Sequence, residues 1–193
     1  LLGSPVAHSI SPLMHNESFR LLGLDYVYLC FDINEETLPA AVAGLKTCGI
    51  RGFNLTMPNK NKIVELLDEL SPEAQLIGAV NTVLNDNGKL IGYNTDGYGF
   101  MQSVRDAGHD ITGKNITVMG VGGASMAICA QSALDGAASV HIFARRTSRY
   151  WNRTQKFAEN LSAKTGCQVC LFDNDDHTAL RDSIAQSYLL INA

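Results

Sequence analysis

The order of apolar and polar residues divides this 193-residue chain into two stretches with different rhythms. In the first stretch, predicted helices cover 12–22, 35–47, 61–69, 72–78 and 97–107, and predicted strands cover 25–31, 52–56, 79–84 and 89–93. Ser11 before Pro12 and Ser71 before Pro72 each predict a helix start, with the serine as N-cap. Asn85-Asp-Asn-Gly88 lies between the last two strands and predicts a β-hairpin.

The second stretch alternates regularly between strand and helix. Strands are predicted over 115–120, 139–143, 168–172 and 188–192, and helices over 123–134, 151–164 and 177–187. Such alternation builds a doubly wound parallel sheet of the Rossmann type. We therefore predict an α/β protein with two domains, an α/β domain at 1–108 and a Rossmann-type domain at 109–193, joined by the polar segment 108–113.

Composition excludes several classes of protein. Apolar residues make up 46% and charged residues 18%, which is enough to build a core and argues against disorder. A net charge of −4 gives no basic face for nucleic acid or an anionic membrane surface. No apolar run approaches the roughly 18 residues of a membrane span, and the first residues do not form a signal peptide.

The cysteines and histidines do not have the spacing of a metal site. Five cysteines, an odd number scattered through apolar segments, predict free buried thiols in a reducing compartment, so we expect a cytoplasmic protein. Cys167-Gln-Val-Cys170 has a metal-like spacing, but no second pair accompanies it and it lies in a predicted strand. We expect no metal.

The ends of the chain indicate a shortened sequence. The chain begins without Met and stops on the apolar run 188–193, where a buried parallel strand is normally followed by further structure. We expect a second domain that is incomplete at its C-terminus.

A glycine-rich turn separates the first strand and helix of the second stretch. Gly120-Val-Gly122-Gly123-Ala124 allows a tight turn and lets backbone N–H groups approach a pyrophosphate at the helix N-terminus. A purely structural turn is the alternative reading, but the β-α-β context favours nucleotide binding.

The end of the next strand bears on which nucleotide is bound. An Asp or Glu there would bind the ribose of NAD, but this strand is followed by Arg145, Arg146 and Thr147. Guanidinium and hydroxyl groups suit a 2′-phosphate. The sequence therefore favours NADP, with NAD possible, and a solvated basic loop is the alternative.

Four polar clusters lie in loops or at predicted strand ends of the first stretch: 8–11, 54–60, 81–82 and 94–96. Taken singly, each could cap a helix or satisfy buried backbone. Together they are complementary, because serine hydroxyls can hold a carboxylate and amides can hold hydroxyls. Lys60 and Asp96 could move a proton while a hydride leaves an alcohol.

These clusters resemble the motifs of the shikimate dehydrogenase family. The matching segments, in the family's order and spacing, are His8–Asn16, Asn54–Lys60, Gly78–Thr82, Asn94–Gly97 and Gly120–Ser125. They extend over most of the chain, and five motifs in register are far more specific than a lone glycine turn. The stretch after the glycines is most similar to the quinate/shikimate dehydrogenase branch.

The resemblance implies a role for each matched residue. Ser9 and Ser11 would bind the substrate carboxylate, Thr56, Asn81 and Asp96 would hold ring hydroxyls, Asn54 would support the same pocket, and Lys60 with Asp96 would form the catalytic pair. Residues 1–108 would bind substrate, and 109–193 would bind NAD(P). The implied reaction is reversible reduction of 3-dehydroshikimate to shikimate, or of dehydroquinate to quinate, by a monomer or homodimer.

Two other functions compete with this one. A Ser–His–Asp hydrolase is disfavoured, because His8 adjoins Ser9 but no Gly-x-Ser-x-Gly elbow occurs. The serious alternative is a non-catalytic module of the same fold that senses substrate or nucleotide. Retention of both Lys60 and Asp96 argues against it, since a sensor needs neither.

Overall fold

The computed structural model describes residues 1–193, which form two compact units, Leu1–Tyr93 and Asn94–Ala193. Both units are α/β, and the predicted fold class is confirmed. The second unit begins before helix α4 (Asp96–Asp106), because α4 packs closely on helix α5 (Gly123–Leu134). A Cβ at Gly97 would overlap the backbone oxygen of Ala127, so glycine permits this contact. The limits of the two functional domains at residues 108 and 109 stay a prediction.

The first unit is built around a four-stranded sheet with the order β3-β5-β6-β4. Its strands are β1 (Leu2–Gly3), β2 (Phe31–Asp32), β3 (Gly52–Asn54), β4 (Glu69–Leu70), β5 (Thr82–Asp86) and β6 (Lys89–Tyr93), and its helices are α1 (Ser11–Leu21), α2 (Leu38–Thr47) and α3 (Pro72–Ile77), with a 3₁₀ helix at Lys62–Leu66. A parallel bridge from Leu2 to Leu55 connects the β1–β2 pair to the residue after β3. The core is made of buried apolar residues from strands and helices alike: Leu2, Leu38, Val42, Phe53, Leu55, Ile63, Ala74, Val80, Val83 and Leu90.

The predicted hairpin is confirmed as β5 and β6. Asn87 and Gly88 both have positive φ, 51° and 93°, as the commonest two-residue hairpin turn requires. The side chain of Asn85 accepts a hydrogen bond of 2.8 Å from the N–H of Gly88. The local turn chemistry therefore fixes the register of the two strands.

The predicted strand over 25–31 is largely wrong. Only Phe31 belongs to a strand, β2, which pairs with β1. The backbone of Tyr28 is instead bonded by a side chain: Asn16 Nδ2 donates to its carbonyl at 3.0 Å and Asn16 Oδ1 accepts from its N–H at 2.7 Å. A helix side chain therefore bonds backbone groups that a neighbouring strand would otherwise bond.

The predicted helix over 61–69 is also partly wrong. The chain forms only the 3₁₀ helix Lys62–Leu66 and then enters β4, which pairs in parallel with β6. The pairing of Glu69 with Ile91 is between residues distant in sequence, so the local pattern of apolar residues could not reveal it.

Of the two predicted serine N-caps, one is confirmed and the other is wrong. Ser71 is an N-cap as predicted, and its side chain accepts from the N–H of Ala74 at 3.2 Å. Ser11 is not, because it is already the first residue of α1 and Ile10 occupies the cap position without a side-chain bond. The N–H of Ser11 instead donates to Ser9 Oγ at 3.2 Å.

The second unit is a four-stranded parallel sheet with the order β10-β7-β8-β9. Its strands are β7 (Asn115–Met119), β8 (Ser139–Ala144), β9 (Gln168–Asp173) and β10 (Leu189–Asn192), and α6 (Trp151–Thr165) and α7 (His177–Gln186) join α4 and α5 as its helices. The chain runs from β7 outward to β9 and then returns to the other side of β7. This is the predicted doubly wound topology, and its order reverses between β7 and β10.

A small polar cluster lies between α7 and this sheet. Thr117 Oγ1 is 2.6 Å from Ser183 Oγ and 2.5 Å from Ser187 Oγ, and His141 Nδ1 is 2.9 Å from Ser183 Oγ. Burial lowers the pKa of His141 below its ordinary value. The hydroxyls therefore satisfy one another inside a largely apolar unit.

None of the seven helices is long and apolar enough to cross a membrane.

Candidate functional site

The sheet of the first unit brings two candidate amides together. Asn54 at the end of β3 lies directly opposite Thr82 at the start of β5, so the two side chains share a face. Asn54 Nδ2 donates to Thr82 Oγ1 at 2.9 Å, and the Thr82 hydroxyl donates to Asn81 Oδ1 at 3.0 Å. A continuous hydrogen-bond chain therefore links Asn54 to Asn81 through Thr82.

Backbone hydrogen bonds hold the segment 54–60 against Asn81. The N–H of Leu55 donates to the carbonyl of Asn81 at 2.8 Å, and the N–H of Val80 donates to the carbonyl of Lys60 at 2.8 Å. The second of these bonds holds the backbone of Lys60, a half-buried residue, beside Val80, which precedes Asn81. The structure thus places Asn54, Lys60 and Asn81 on two adjoining segments.

Thr56 is held against β1. Its N–H donates to the carbonyl of Leu2 at 3.0 Å, and the following carbonyl of Met57 accepts from the N–H of Ser4 at 2.9 Å. A Cβ at Gly3 would overlap the Thr56 methyl group and lie 2.9 Å from Met57 O. Glycine at this position lets the Thr56 loop pass close to the strand.

Ser9 and Ser11 form a pair in the loop that leads into α1. The Ser9 hydroxyl donates to Ser11 Oγ at 3.1 Å and accepts from the Ser11 N–H. The Ser11 hydroxyl proton is then available for another acceptor. The Ser11 hydroxyl suits one oxygen of a carboxylate, and the Ser9 hydroxyl suits the other once it turns away from Ser11 Oγ.

Asp96 lies in the second unit as the first residue of α4. Its N–H donates to Asn94 Oδ1 at 3.2 Å, and a carboxylate in the first turn is favoured by the positive end of the helix dipole. Lys60 belongs to the other compact unit. The pairing of Lys60 with Asp96 stays a prediction.

The glycine turn of the second unit has the backbone that the sequence suggests. Gly120 has a φ of 114° and donates its N–H to Phe143 O at 2.9 Å. A Cβ at Gly120 would overlap the carbonyl oxygen of Ala193, whereas a Cβ at Gly122 or Gly123 would meet no atom within 4 Å. The space next to these two glycines is open to a ligand.

Helix α5 begins without a side-chain cap. The N–H groups of its first turn, which includes Gly123 and Ala124, have no acceptor within the helix. Uncapped N–H groups at a helix N-terminus that follows a parallel strand suit a phosphate or pyrophosphate. These residues therefore fit the dinucleotide that the sequence predicts.

Arg145, Arg146 and Thr147 follow β8 at the same edge of the sheet. Met119 at the end of β7 pairs with Phe143 near the end of β8, so the arginines and the glycine turn follow neighbouring strands. All three residues are exposed, and the Arg146 guanidinium lies 5.3 Å from the centre of the Trp151 ring. Arg146 and Trp151 line a cavity of about 410 Å³ between α6 and β9.

Tyr28 is the residue that sequence reasoning missed. Its hydroxyl donates to Asn54 Oδ1 at 2.7 Å and joins the hydrogen-bond chain of Asn54. Burial, as the larger cause, raises the pKa of Tyr28 to about 12. A tyrosine within an apolar segment is a usable signal, because its hydroxyl needs a partner.

The structure describes no group of three or more His, Cys, Asp or Glu side chains that could hold a metal ion. All five cysteines are free thiols; Cys129 and Cys167 are buried, as predicted, but Cys48 is exposed.

Comparison with known proteins places these features in a family. Residues 1–83 match the family "Shikimate dehydrogenase substrate binding domain". A shikimate dehydrogenase (NADP(+)) of Listeria innocua is 50% identical over 193 residues, which are 100% of this chain and 66% of that protein. The chain thus spans 66% of the length of this relative.

Solved structures agree with the sequence comparison. A Listeria monocytogenes shikimate 5-dehydrogenase in complex with shikimate and NAD has a TM-score of 0.97 at 48% identity, covering 100% of this chain and 66% of that one. A shikimate dehydrogenase in complex with NADP+ has a TM-score of 0.85 at 38% identity, covering 100% of this chain and 64% of that one.

Proposed function

Because this chain belongs to the shikimate dehydrogenase family, we propose that the protein is an NAD(P)-dependent oxidoreductase that interconverts shikimate and 3-dehydroshikimate. One observation carries this proposal beyond the family name. The hydrogen-bond chain through Asn54, Thr82 and Asn81 and the backbone bond between Val80 and Lys60 support the proposal, because they hold together the segments that carry the proposed ring-binding amides and the proposed base.

The substrate is held by side chains of complementary chemistry. The paired hydroxyls of Ser9 and Ser11 bind its carboxylate, and Thr56 and Asn81 bind ring hydroxyls. Asn54 supports the same pocket through Thr82. A cyclic acid with several hydroxyl groups satisfies all of these residues at once.

Proton transfer is assigned to Lys60 and Asp96. As the alcohol is oxidised, its C–H hydrogen leaves with an electron pair and its O–H proton leaves to the Lys60 amine, which forms the ketone. Asp96 orients the reacting hydroxyl and stabilises the protonated lysine. In the reverse direction Lys60 returns the proton to the new alkoxide.

The second unit is assigned to cofactor binding. The N–H groups at the start of α5 bind the pyrophosphate, and Gly120, Gly122 and Gly123 keep the backbone accessible. Arg145, Arg146 and Thr147 bind a 2′-phosphate, which favours NADP over NAD. When bound, the nicotinamide supplies the hydride acceptor.

The proposal is tested by steady-state kinetics of the full-length protein with shikimate and quinate, each with NADP+ and NAD+, followed by nicotinamide absorbance. We expect turnover to be fastest with shikimate and NADP+. A higher kcat/KM for quinate than for shikimate would assign the protein to quinate oxidation instead.

The competing function, a non-catalytic sensing module, predicts a different result in the same experiment. Such a module binds the acid or the nucleotide, as measured by calorimetry, but gives no turnover with any of the four combinations. Binding without turnover would therefore show that the protein is a sensing module and not an enzyme.

A further inference from the structure

Tyr28 ends the hydrogen-bond chain of the first unit, in direct contact with Asn54. We propose that Tyr28 binds substrate and also fixes the Asn54 amide, so that Asn54 and Tyr28 together accept a hydrogen bond from a substrate hydroxyl and offer none. This inference rests on the proposed function, since it concerns the same substrate.

The direction of the hydrogen bonds around Asn54 follows from its partners. Asn54 Nδ2 lies 3.2 Å from the backbone carbonyl oxygen of Asn81. A carbonyl oxygen can only accept, so the amide nitrogen of Asn54 must face it. The amide oxygen then faces Tyr28, and the phenol hydroxyl must be the donor at 2.7 Å.

This direction uses up the donors of both side chains. The two hydrogens of Asn54 Nδ2 point to Asn81 O and Thr82 Oγ1, and the proton of Tyr28 points to Asn54 Oδ1. Each of the two oxygens keeps one lone pair. Tyr28 and Asn54 therefore bind a ligand hydroxyl but disfavour a carboxylate, which is left to donors such as Ser11.

Helix α1 holds the tyrosine in place. Asn16 bonds both the N–H and the carbonyl of Tyr28, and the His15 ring stacks on the phenol with 4.3 Å between ring centres. Since burial raises the pKa of Tyr28 to about 12, the phenol stays protonated and keeps its donor role at neutral pH. The position of the ring and the proton are both set before substrate binds.

The test is Tyr28→Phe in the full-length protein, which removes only the hydroxyl. We expect KM for shikimate to rise about 3- to 10-fold, the usual worth of one hydrogen bond, while kcat and KM for NADP+ change less than about 2-fold. Tyr26→Phe is the matched control, because Tyr26 is in the same segment, 54% exposed, and packs on Phe19. The control should leave all three constants unchanged.

An unchanged KM for shikimate in Tyr28→Phe would overturn the inference. So would a loss of thermal stability with kcat and both KM values changing together, because that pattern belongs to a structural role. A second readout follows the Asn54 side-chain amide protons by NMR, which should shift in Tyr28→Phe and not in Tyr26→Phe.

Failure of the proposed function gives a distinguishable result. If the wild-type protein binds shikimate without turning it over, the enzyme proposal fails, and the same 3- to 10-fold effect in Kd by calorimetry still supports the role of Tyr28. If the wild-type protein does not bind shikimate, both proposals are overturned.

Discussion

The two units present candidate ligand-binding groups of different kinds. In the first unit they are side chains on separate segments, such as Asn54 and Asn81, held together by hydrogen bonds between residues distant in sequence. In the second unit they are mainly backbone N–H groups of one turn and one helix start, with Gly120 permitting the backbone path. A site made of side chains depends on a network of long-range hydrogen bonds, whereas a site made of backbone groups depends on the local backbone conformation.

The contrast predicts that the two glycines of the turn in the second unit, Gly120 and Gly122, have different roles. Gly120→Ala places a side chain at a φ of 114° and against the carbonyl of Ala193. We expect the free energy of unfolding to fall by about 2–4 kcal/mol, from the backbone strain and the overlap together. Urea denaturation followed by circular dichroism measures this change.

Gly122→Ala is the matched control for that substitution. Its φ of −76° is ordinary and its Cβ would meet no atom within 4 Å, so stability should change by less than about 0.5 kcal/mol. KM for NADP+ should nevertheless rise, because the methyl group enters the space assigned to the pyrophosphate. Equal destabilisation of both variants would refute the distinction between a structural and a ligand-facing glycine.

We expect a smaller effect from substitutions that change the preference for NADP+ over NAD+, because this preference depends on exposed side chains. Arg145→Ala should raise KM for NADP+ by about 10-fold and leave KM for NAD+ within about 2-fold, because only NADP+ has a 2′-phosphate to pair with. Arg149→Ala, whose guanidinium stacks on Tyr150 at 4.7 Å, is the control in the same loop. Equal losses for the two cofactors would show that Arg145 does not distinguish them.

The smallest expected effect concerns the polar cluster at His141. Because burial lowers its pKa from the ordinary 6.5, the folded state binds this proton less readily than the unfolded state does. The free energy of unfolding therefore has its full contribution from neutral His141 above about pH 6.5 and loses this contribution as the pH falls below that value. His141→Gln should flatten this acid side of the stability curve in urea denaturation; a curve of unchanged slope would contradict the assignment.

The same contrast explains what the sequence could predict. Strands β7, β8 and β9 lie within one residue of their predicted positions, because each alternates locally with a helix. The hairpin was equally accessible through Asn87 and Gly88. In these regions neighbouring residues alone determine the structure.

The errors lie where distant residues determine the structure. The backbone of Tyr28 depends on its hydrogen bonds to Asn16, and β4 depends on its pairing with β6. The hydrogen bond from Tyr28 to Asn54 also joins residues that are distant in sequence. No local pattern of residues indicated this bond. The candidate residues themselves were accessible through the family resemblance, whereas the hydrogen bonds that orient them required the structure.

In the proposed reaction Lys60 transfers the proton of the reacting hydroxyl, and the decisive test of this role is kcat of Lys60→Ala. The matched control is Lys62→Ala, since Lys62 is half-buried like Lys60 and is paired with Glu65 at 2.7 Å on the same segment. We predict that Lys60→Ala lowers kcat for shikimate about 10³-fold with KM changed less than about 10-fold, and that Lys62→Ala changes neither. A kcat for Lys60→Ala equal to that of the wild type would contradict the account.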